Sequence, residues 1–199
     1  MMKERIGFIH QPGTAVTVEL PDWVADFVNW QRTYSSDDEK MALAIELSKQ
    51  NVERGTGGPF GTAIFDRASG QLLGVGVNRV VPLTNSTLHG ETVAIMMAEK
   101  ALGSFTLATD SGRELFTSCE PCAMCMGAVL WSGVNRMVCA GTAEDARAIG
   151  FDEGPVFEQS YQYLANAGME VVRQFKRSDA KAVLDHYKNC GGRIYNGRE

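Results

Sequence analysis

Positive charge is in short supply in this chain. Its 19 Lys and Arg face 24 Asp and Glu, a formal net charge of −5, whereas a surface that tracks phosphates needs clustered cations. A general nucleic-acid binder is therefore not expected. Long apolar runs are missing too: none approaches the roughly 18 residues of a spanning helix, and the N-terminus has no basic segment followed by a hydrophobic one. No membrane partner is expected, and a cytoplasmic setting is. No linker and no change of composition divides the 199 residues, which can bury a sizeable core as one domain. Cysteines number only five, and three of them crowd between Cys119 and Cys125, a pattern suited to metal binding in a reducing compartment rather than to a disulfide framework. Histidine is scarcer still, and His10 and His186 have no nearby partners in sequence. The C-terminal third runs against the overall charge, with Arg173, Lys176, Arg177, Lys181, Lys188, Arg193 and Arg198 outnumbering the acids. These residues form either a solvated helix face or a local basic patch.

What remains is concentrated in two short segments. His89-Gly90-Glu91 is followed about thirty residues later by Pro121-Cys122-Ala123-Met124-Cys125. His89, Cys122 and Cys125 make three metal ligands, and a catalytic zinc centre holds three and leaves the fourth position to water, whereas a structural one closes the tetrahedron. Cys122 and Cys125 are spaced so that both thiolates of one helical first turn face a single ion. The run Ala123 to Trp131 reads as that helix, and Glu91 to Leu102, ended by Gly103, as a second. Two helix N-termini would then converge on the metal, where their partial positive charge offsets the thiolates. Glu91, two residues from a ligand and unligated itself, is placed to move protons. Cys119 precedes Pro121 and is expected in the strand-to-helix turn rather than at the metal. Cys139 reads as buried and apolar, Cys190 as a free thiol near the surface.

Elsewhere, Ser36-Asp37-Asp38-Glu39 has capping-box spacing before an apolar-faced helix from Lys40 to Arg54. Thr62 to Phe65, a turn through Ala68-Ser69-Gly70, and Gln71 to Val77 read as a hairpin. Strands are expected at Arg113 to Thr117, Arg136 to Ala140 and Met169 to Phe175, and a last helix, capped by Ser178, from Asp179 to about Asn189. This alternation implies an α/β fold, a three-layer α/β/α sandwich around a mixed five-stranded sheet, with the ligands at one sheet edge. Residues 1–35 form an extension to a domain at 36–199. Pro21 to Val28 resembles a short amphipathic helix whose Trp23 and Phe27 pack against a partner subunit or the body of the fold.

The His-x-Glu and Pro-Cys-x-x-Cys segments resemble those of the cytidine deaminase-like zinc deaminases, which act on nucleobases. Gly57-Gly58-Pro59-Phe60-Gly61, Thr117 to Ala128 and Gly150-Phe151-Asp152-Glu153 look most like the guanine deaminases of this fold. The resemblance implies one zinc ion per subunit, Glu91 as acid and base, and Glu153 as a second acid that aids proton transfer at the purine; the alternative for Glu153 is an exposed loop acid. It places Asn78 against the base, where its amide offers donor and acceptor, or else in a loop cap near Pro82. Phe60 either stacks on the base or enters the core. Gly90, where the family commonly has Ala, offers its N–H to a substrate carbonyl and either enlarges the pocket or loosens the helix start. Trp131 resembles a pocket-lining Trp, with core packing as the other reading. Similar enzymes form homodimers that exchange C-terminal segments, which makes Tyr195 in the tail 189–199 a candidate lid, or else part of a frayed terminus.

The leading expectation is hydrolytic release of ammonia from guanine, giving xanthine. Its rivals are deamination of cytosine, an amino-triazine such as ammeline, or tRNA adenosine, and, from another class, a zinc-stabilised binding domain without turnover. The last would need a fourth protein ligand.

Overall fold

A computed structural model describes residues 13–197; His10 and Arg198 lie outside them. In chain order the elements are α1 (Trp23–Phe27), α2 (Asp37–Glu53), β1 (Gly61–Asp66), β2 (Leu72–Val77), α3 (Gly90–Leu102), β3 (Arg113–Cys119), α4 (Ala123–Ser132), β4 (Arg136–Gly141), α5 (Ala143–Ile149), α6 (Glu158–Asn166), β5 (Glu170–Val172) and α7 (Arg177–Asn189). The strands form one sheet in the order β2-β1-β3-β4-β5. β1 runs antiparallel to β2 and β3, while β3, β4 and β5 are parallel, so the sheet is mixed.

Alternation along each strand divides the core in two. Ala63, Phe65, Phe116, Val138 and Ala140 meet α1, α2, α5 and α7 on one face. Ile64, Leu115, Met137 and Cys139 meet α3, α4 and α6 on the other. The result is the expected α/β/α sandwich. α3 lies unusually close to β2 because two strand positions lack side chains: a Cβ on Gly76 would stand 2.1 Å from the Gly90 carbonyl oxygen, and one on Gly74 would stand 2.7 Å from the Ala98 nitrogen. Backbone-to-backbone seating of this kind fixes where the first turn of α3 ends up.

Local signals explain most boundaries. The Ser36 hydroxyl accepts from Glu39 N and caps α2. The Glu39 carboxylate, however, takes the N–H and hydroxyl of Ser35 and pairs with Arg32, so the reciprocal half of the box is shifted by one residue. Gly103, in the left-handed region, ends α3. β5 is shorter than the seven residues expected, because Arg173 turns to Glu120 and the positive φ of Gln174 and Lys176 breaks the extended run. α7 starts at Arg177 without a cap from Ser178; ion pairs of Lys176 with Asp38 and Arg177 with Asp145 hold its start instead. Two helices were not expected. α5 opens on a capping box of Thr142 and Asp145, and α6 buries Tyr161 and Leu164 one turn apart.

Trp23 and Phe27 pack on the body of the fold. Val24 and Val28 enter the core, and the Trp23 indole N–H donates to Thr56 Oγ1 at 3.0 Å. The basic C-terminal residues are largely paired within the chain, Arg173 with Glu120 and Glu158, and Lys181 with Asp185. They form a compensated surface. Among the described residues no helix is long and apolar enough to cross a membrane.

One polar cluster ties the layers together. Arg136, at the start of β4, reaches Asp37 at 2.6 Å, Glu114 at 2.8 Å and Glu170 at 2.9 Å, and Lys40 also pairs with the buried Glu114. Hydrogen bonding to Arg136 holds both Asp37 and Glu170 below the usual carboxylate range. A depressed carboxylate contributes stability that is present above its unfolded pKa of about 4 and is lost as the pH falls through the lower folded value. Arg136→Met should therefore lower unfolding stability by about 3 kcal/mol at neutral pH and flatten the acid limb of a urea-denaturation series below about pH 4. An unchanged midpoint with an unchanged acid limb would contradict this.

Candidate active site

The open end of the sheet, where Gly61, Val77, Cys119 and Gly141 line up, carries the two helix starts. This places the site at an end of the central strands, not along a lateral edge, because β3, which leads into the cysteine segment, is the middle strand. His89 is the N-cap of α3 and Cys122 the N-cap of α4, both with extended backbone, and neither makes a side-chain cap hydrogen bond. A cap position normally holds a side chain that turns back onto the helix N–H groups. Here both side chains face each other, with His89 Nδ1 at 3.5 Å from Cys122 Sγ. Cys125, in the first turn of α4, completes the group, and one donor atom from each of the three lies within 4.8 Å of the others.

That geometry fits zinc. Ligands at about 2.0–2.3 Å from a tetrahedral ion stand about 3.5 Å from one another. The protonation of the donors fits as well. A hydrogen bond from Cys125, working against burial and joined by His89, brings the Cys122 thiol down to about 4. The same partnership and burial push Cys125 well up, so its thiol would lose a proton on binding a cation. Burial disfavours a charged His89, yet its contact with Cys122 and the nearby acids outweigh that and raise it. Among the described residues no fourth donor joins the group. Cys119 lies apart, its thiol directed at the Thr142 carbonyl at 3.4 Å.

Glu91, the second residue of α3, is buried beside this centre, and Thr117 of β3 donates to its Oε1 at 3.2 Å. Burial, followed by the charge on Cys122, raises its pKa. Glu153, on the loop after α5, is only 6 % exposed. Its carbonyl accepts the Ala123 N–H at 3.0 Å, which ties that loop to the start of α4. Burial, then the charges of Cys122 and Glu91, pushes its carboxyl up to about 8. Both acids line a cavity of about 330 Å³ together with His89, Cys122, Phe60, Phe151 and Tyr195, and among the described residues no Lys or Arg contributes to its wall.

The remaining sequence candidates divide. Phe60 lines the cavity and also meets Phe151 edge-to-face, with centroids 5.1 Å apart, so it serves wall and core at once. Tyr195 reaches back over the chain's own cavity and packs on Phe151 at 5.1 Å. Asn196 pins the tail there, accepting from Asp152 N at 2.8 Å and donating to the Gly150 carbonyl at 3.1 Å. Asn78 is fully buried at the end of β2 but is not part of the cavity wall. Its Oδ1 accepts from Val80 N, while its Nδ2, like the Tyr195 hydroxyl, has no partner among the described residues. The two side chains flank Gly58, where an added Cβ would stand 3.3 Å from Asn78 Oδ1 and 2.6 Å from the Tyr195 oxygen.

Trp131 is a correction. It is 85 % exposed and contributes nothing to the cavity. It lies six residues beyond Cys125, and at 3.6 residues per turn that is roughly two-thirds of a turn away from the ligand face of α4. Gly90 does not enlarge the pocket either. A Cβ there would meet the Thr62 hydroxyl at 3.2 Å and the Phe60 carbonyl at 3.4 Å, so the missing methyl accommodates β1. Sequence reasoning missed Glu120, which lines the cavity, accepts from Ala143 N at 3.0 Å and pairs with Arg173 at 2.7 Å. Its position directly before Pro121 was the available signal.

Residues 34–141 match the family described as the cytidine and deoxycytidylate deaminase zinc-binding region, and the chain belongs to that family. It is accordingly a zinc-dependent hydrolytic deaminase of the nucleobase-acting kind, with His89, Cys122 and Cys125 as the metal donors. It is 36 % identical over 119 residues to the guanine deaminase of Bacillus subtilis (strain 168), spanning 60 % of this chain and 73 % of that protein. It is 34 % identical over 148 residues to a probable cytosine deaminase of Schizosaccharomyces pombe, covering 72 % and 85 % of the two chains. A solved structure of guanine deaminase from Nitrosomonas europaea superposes with a TM-score of 0.85 at 38 % identity, covering 91 % of this chain and 100 % of that one.

Proposed function

We propose that the base is guanine, converted to xanthine with release of ammonia. The observation that carries this reading is the second buried carboxylate: Glu153 shares the cavity with Glu91, and burial pushes it up to about 8, the direction that suits a proton donor. Exchanging the 2-amino group for oxygen requires N3 to gain a proton while water adds at C2, and an acid beside the first proton carrier meets that demand. Similarity to two guanine deaminases, one of them across nearly the whole chain, supports the same base.

Bound zinc would supply positive charge and an acidified water at the open coordination position. Glu91 takes a proton from the attacking water as the C2–O bond forms, and Glu153 gives one to N3. Glu91 then returns its proton to the amino nitrogen, the C2–N bond breaks and ammonia leaves, and the C2 hydroxyl proton passes back to Glu153 as the C2=O bond forms. Phe60 and Phe151 offer aromatic faces to a flat heterocycle. The unpaired Asn78 Nδ2 is a donor for a purine acceptor once Tyr195 moves off Gly58, which makes the tail a lid over its own site. The acids Glu91, Glu120, Asp152 and Glu153 in the wall repel phosphate, which favours a free base over a nucleotide or tRNA.

The chain would work as a homodimer in the cytoplasm. Phe105 and Trp131, 91 % and 85 % exposed, are joined by the half-exposed Met96 and Met124 on the α3 and α4 side. The loop that carries Phe105 is tied to the end of α4 by the 2.6 Å bond from Leu107 N to the Ser132 carbonyl. Large exposed apolar side chains gathered in this way mark an association surface. All five cysteines are free, which suits a reducing compartment.

Ammonia release from a panel of guanine, cytosine, adenine, ammeline and their nucleosides tests the substrate; guanine should give the highest kcat/KM. Glu153→Gln should lower guanine turnover by about 100-fold or more with zinc retained, and wild-type turnover in that variant would remove Glu153 from the mechanism. In a sedimentation experiment, Trp131→Glu should shift dimers to monomers that keep guanine turnover within about threefold, because each tail covers its own site. Monomers without activity would instead indicate exchanged tails.

A further inference from the structure

Among the described residues, the side-chain donor to Glu91 is the Thr117 hydroxyl, 3.2 Å from Oε1. Behind it the Thr62 hydroxyl donates to Thr117 Oγ1, also at 3.2 Å, across the paired strands β1 and β3, where Thr62 and Thr117 are register partners. Both threonines are fully buried. Each hydroxyl has a single hydrogen, so Thr62 orients Thr117 and leaves the Thr117 hydrogen to the carboxylate.

The space for this chain is made by Gly90. A methyl at that position would stand 3.2 Å from Thr62 Oγ1, so the hydroxyl that begins the series would have to give by a few tenths of an ångström. The residue between the metal-binding His89 and the proton-carrying Glu91 is thus matched to a threonine two strands away in sequence.

We propose that Thr117 and Thr62 are positioning residues for Glu91: they hold Oε1 in place and leave Oε2 to face the reacting water and the base. This rests on Glu91 as the proton carrier. A carboxylate free to rotate would spend less time aligned for proton transfer, so the loss falls on turnover and leaves substrate binding alone. Thr62 acts only through Thr117, which makes the two effects non-additive.

The experiment is steady-state guanine deamination with zinc content measured for Glu91→Gln, Thr117→Val, Thr117→Ser, Thr62→Val and the double valine variant. Removing a hydrogen bond to a charged group should lower kcat of Thr117→Val by about 10- to 100-fold, with KM within about threefold and one zinc per chain. Thr117→Ser should recover to within a few-fold of wild type. Thr62→Val should lose less than Thr117→Val, and the double variant should be no slower than Thr117→Val alone. Glu91→Gln should be inactive with zinc bound. Wild-type kcat in Thr117→Val beside an inactive Glu91→Gln overturns the positioning role and leaves the Glu91 reading intact; multiplicative losses in the double variant overturn the serial arrangement. An active Glu91→Gln overturns the proton-carrier reading, and the positioning proposal with it.

Discussion

The site depends on the meeting of two helix N-termini over one end of the sheet. His89, Cys122 and Cys125 must bring their donor atoms within 4.8 Å of one another although about thirty residues separate His89 from the cysteines. Two rigid seatings achieve this. α3 rests on β2 with no side chain between their backbones at Gly74 and Gly76, and α4 follows from the central strand β3 through Glu120 and Pro121, with its first N–H held by the Glu153 carbonyl. Because the caps are metal ligands, the helix ends lack the usual side-chain stop, and their partial positive charges are directed at the thiolates.

Electrostatics follows from the same convergence. Glu91, Glu120 and Glu153 are all buried within one small cavity. Only Glu120 has a cationic side-chain partner among the described residues, Arg173, and it is spent on holding the Glu120-Pro121-Cys122 turn and the start of α5. Glu91 and Glu153 have no such partner, and burial raises the pKa of both. An acid pair of this kind would be costly in a purely structural centre. In the mechanism proposed above it is the working part.

Much of this was legible in the sequence because the information is local. The three-residue spacing of the cysteines, the His-x-Glu step and the Ser36, Gly103 and hairpin signals each act within a few residues of chain. What failed to show depends on distant packing or on rotation about a helix. Trp131 was misplaced because spacing along α4 says which residues share a turn, and the ligand face had rotated away by the time the chain reached it. α5 and α6 are too short to impose a clear apolar period. The Thr62–Thr117–Glu91 series is made of contacts 55 and 26 residues apart, which no local pattern encodes. Gly90 could be noticed as a departure from the family, but its meaning required Thr62 beside it.

The central claim is that the metal has three protein donors and one position left for chemistry. Zinc K-edge absorption spectroscopy of the purified protein measures this directly. The expected result is two sulfurs at about 2.3 Å, one imidazole nitrogen and one further light-atom ligand from solvent. A fit that requires a third sulfur or a second imidazole would close the tetrahedron with protein and contradict the catalytic reading.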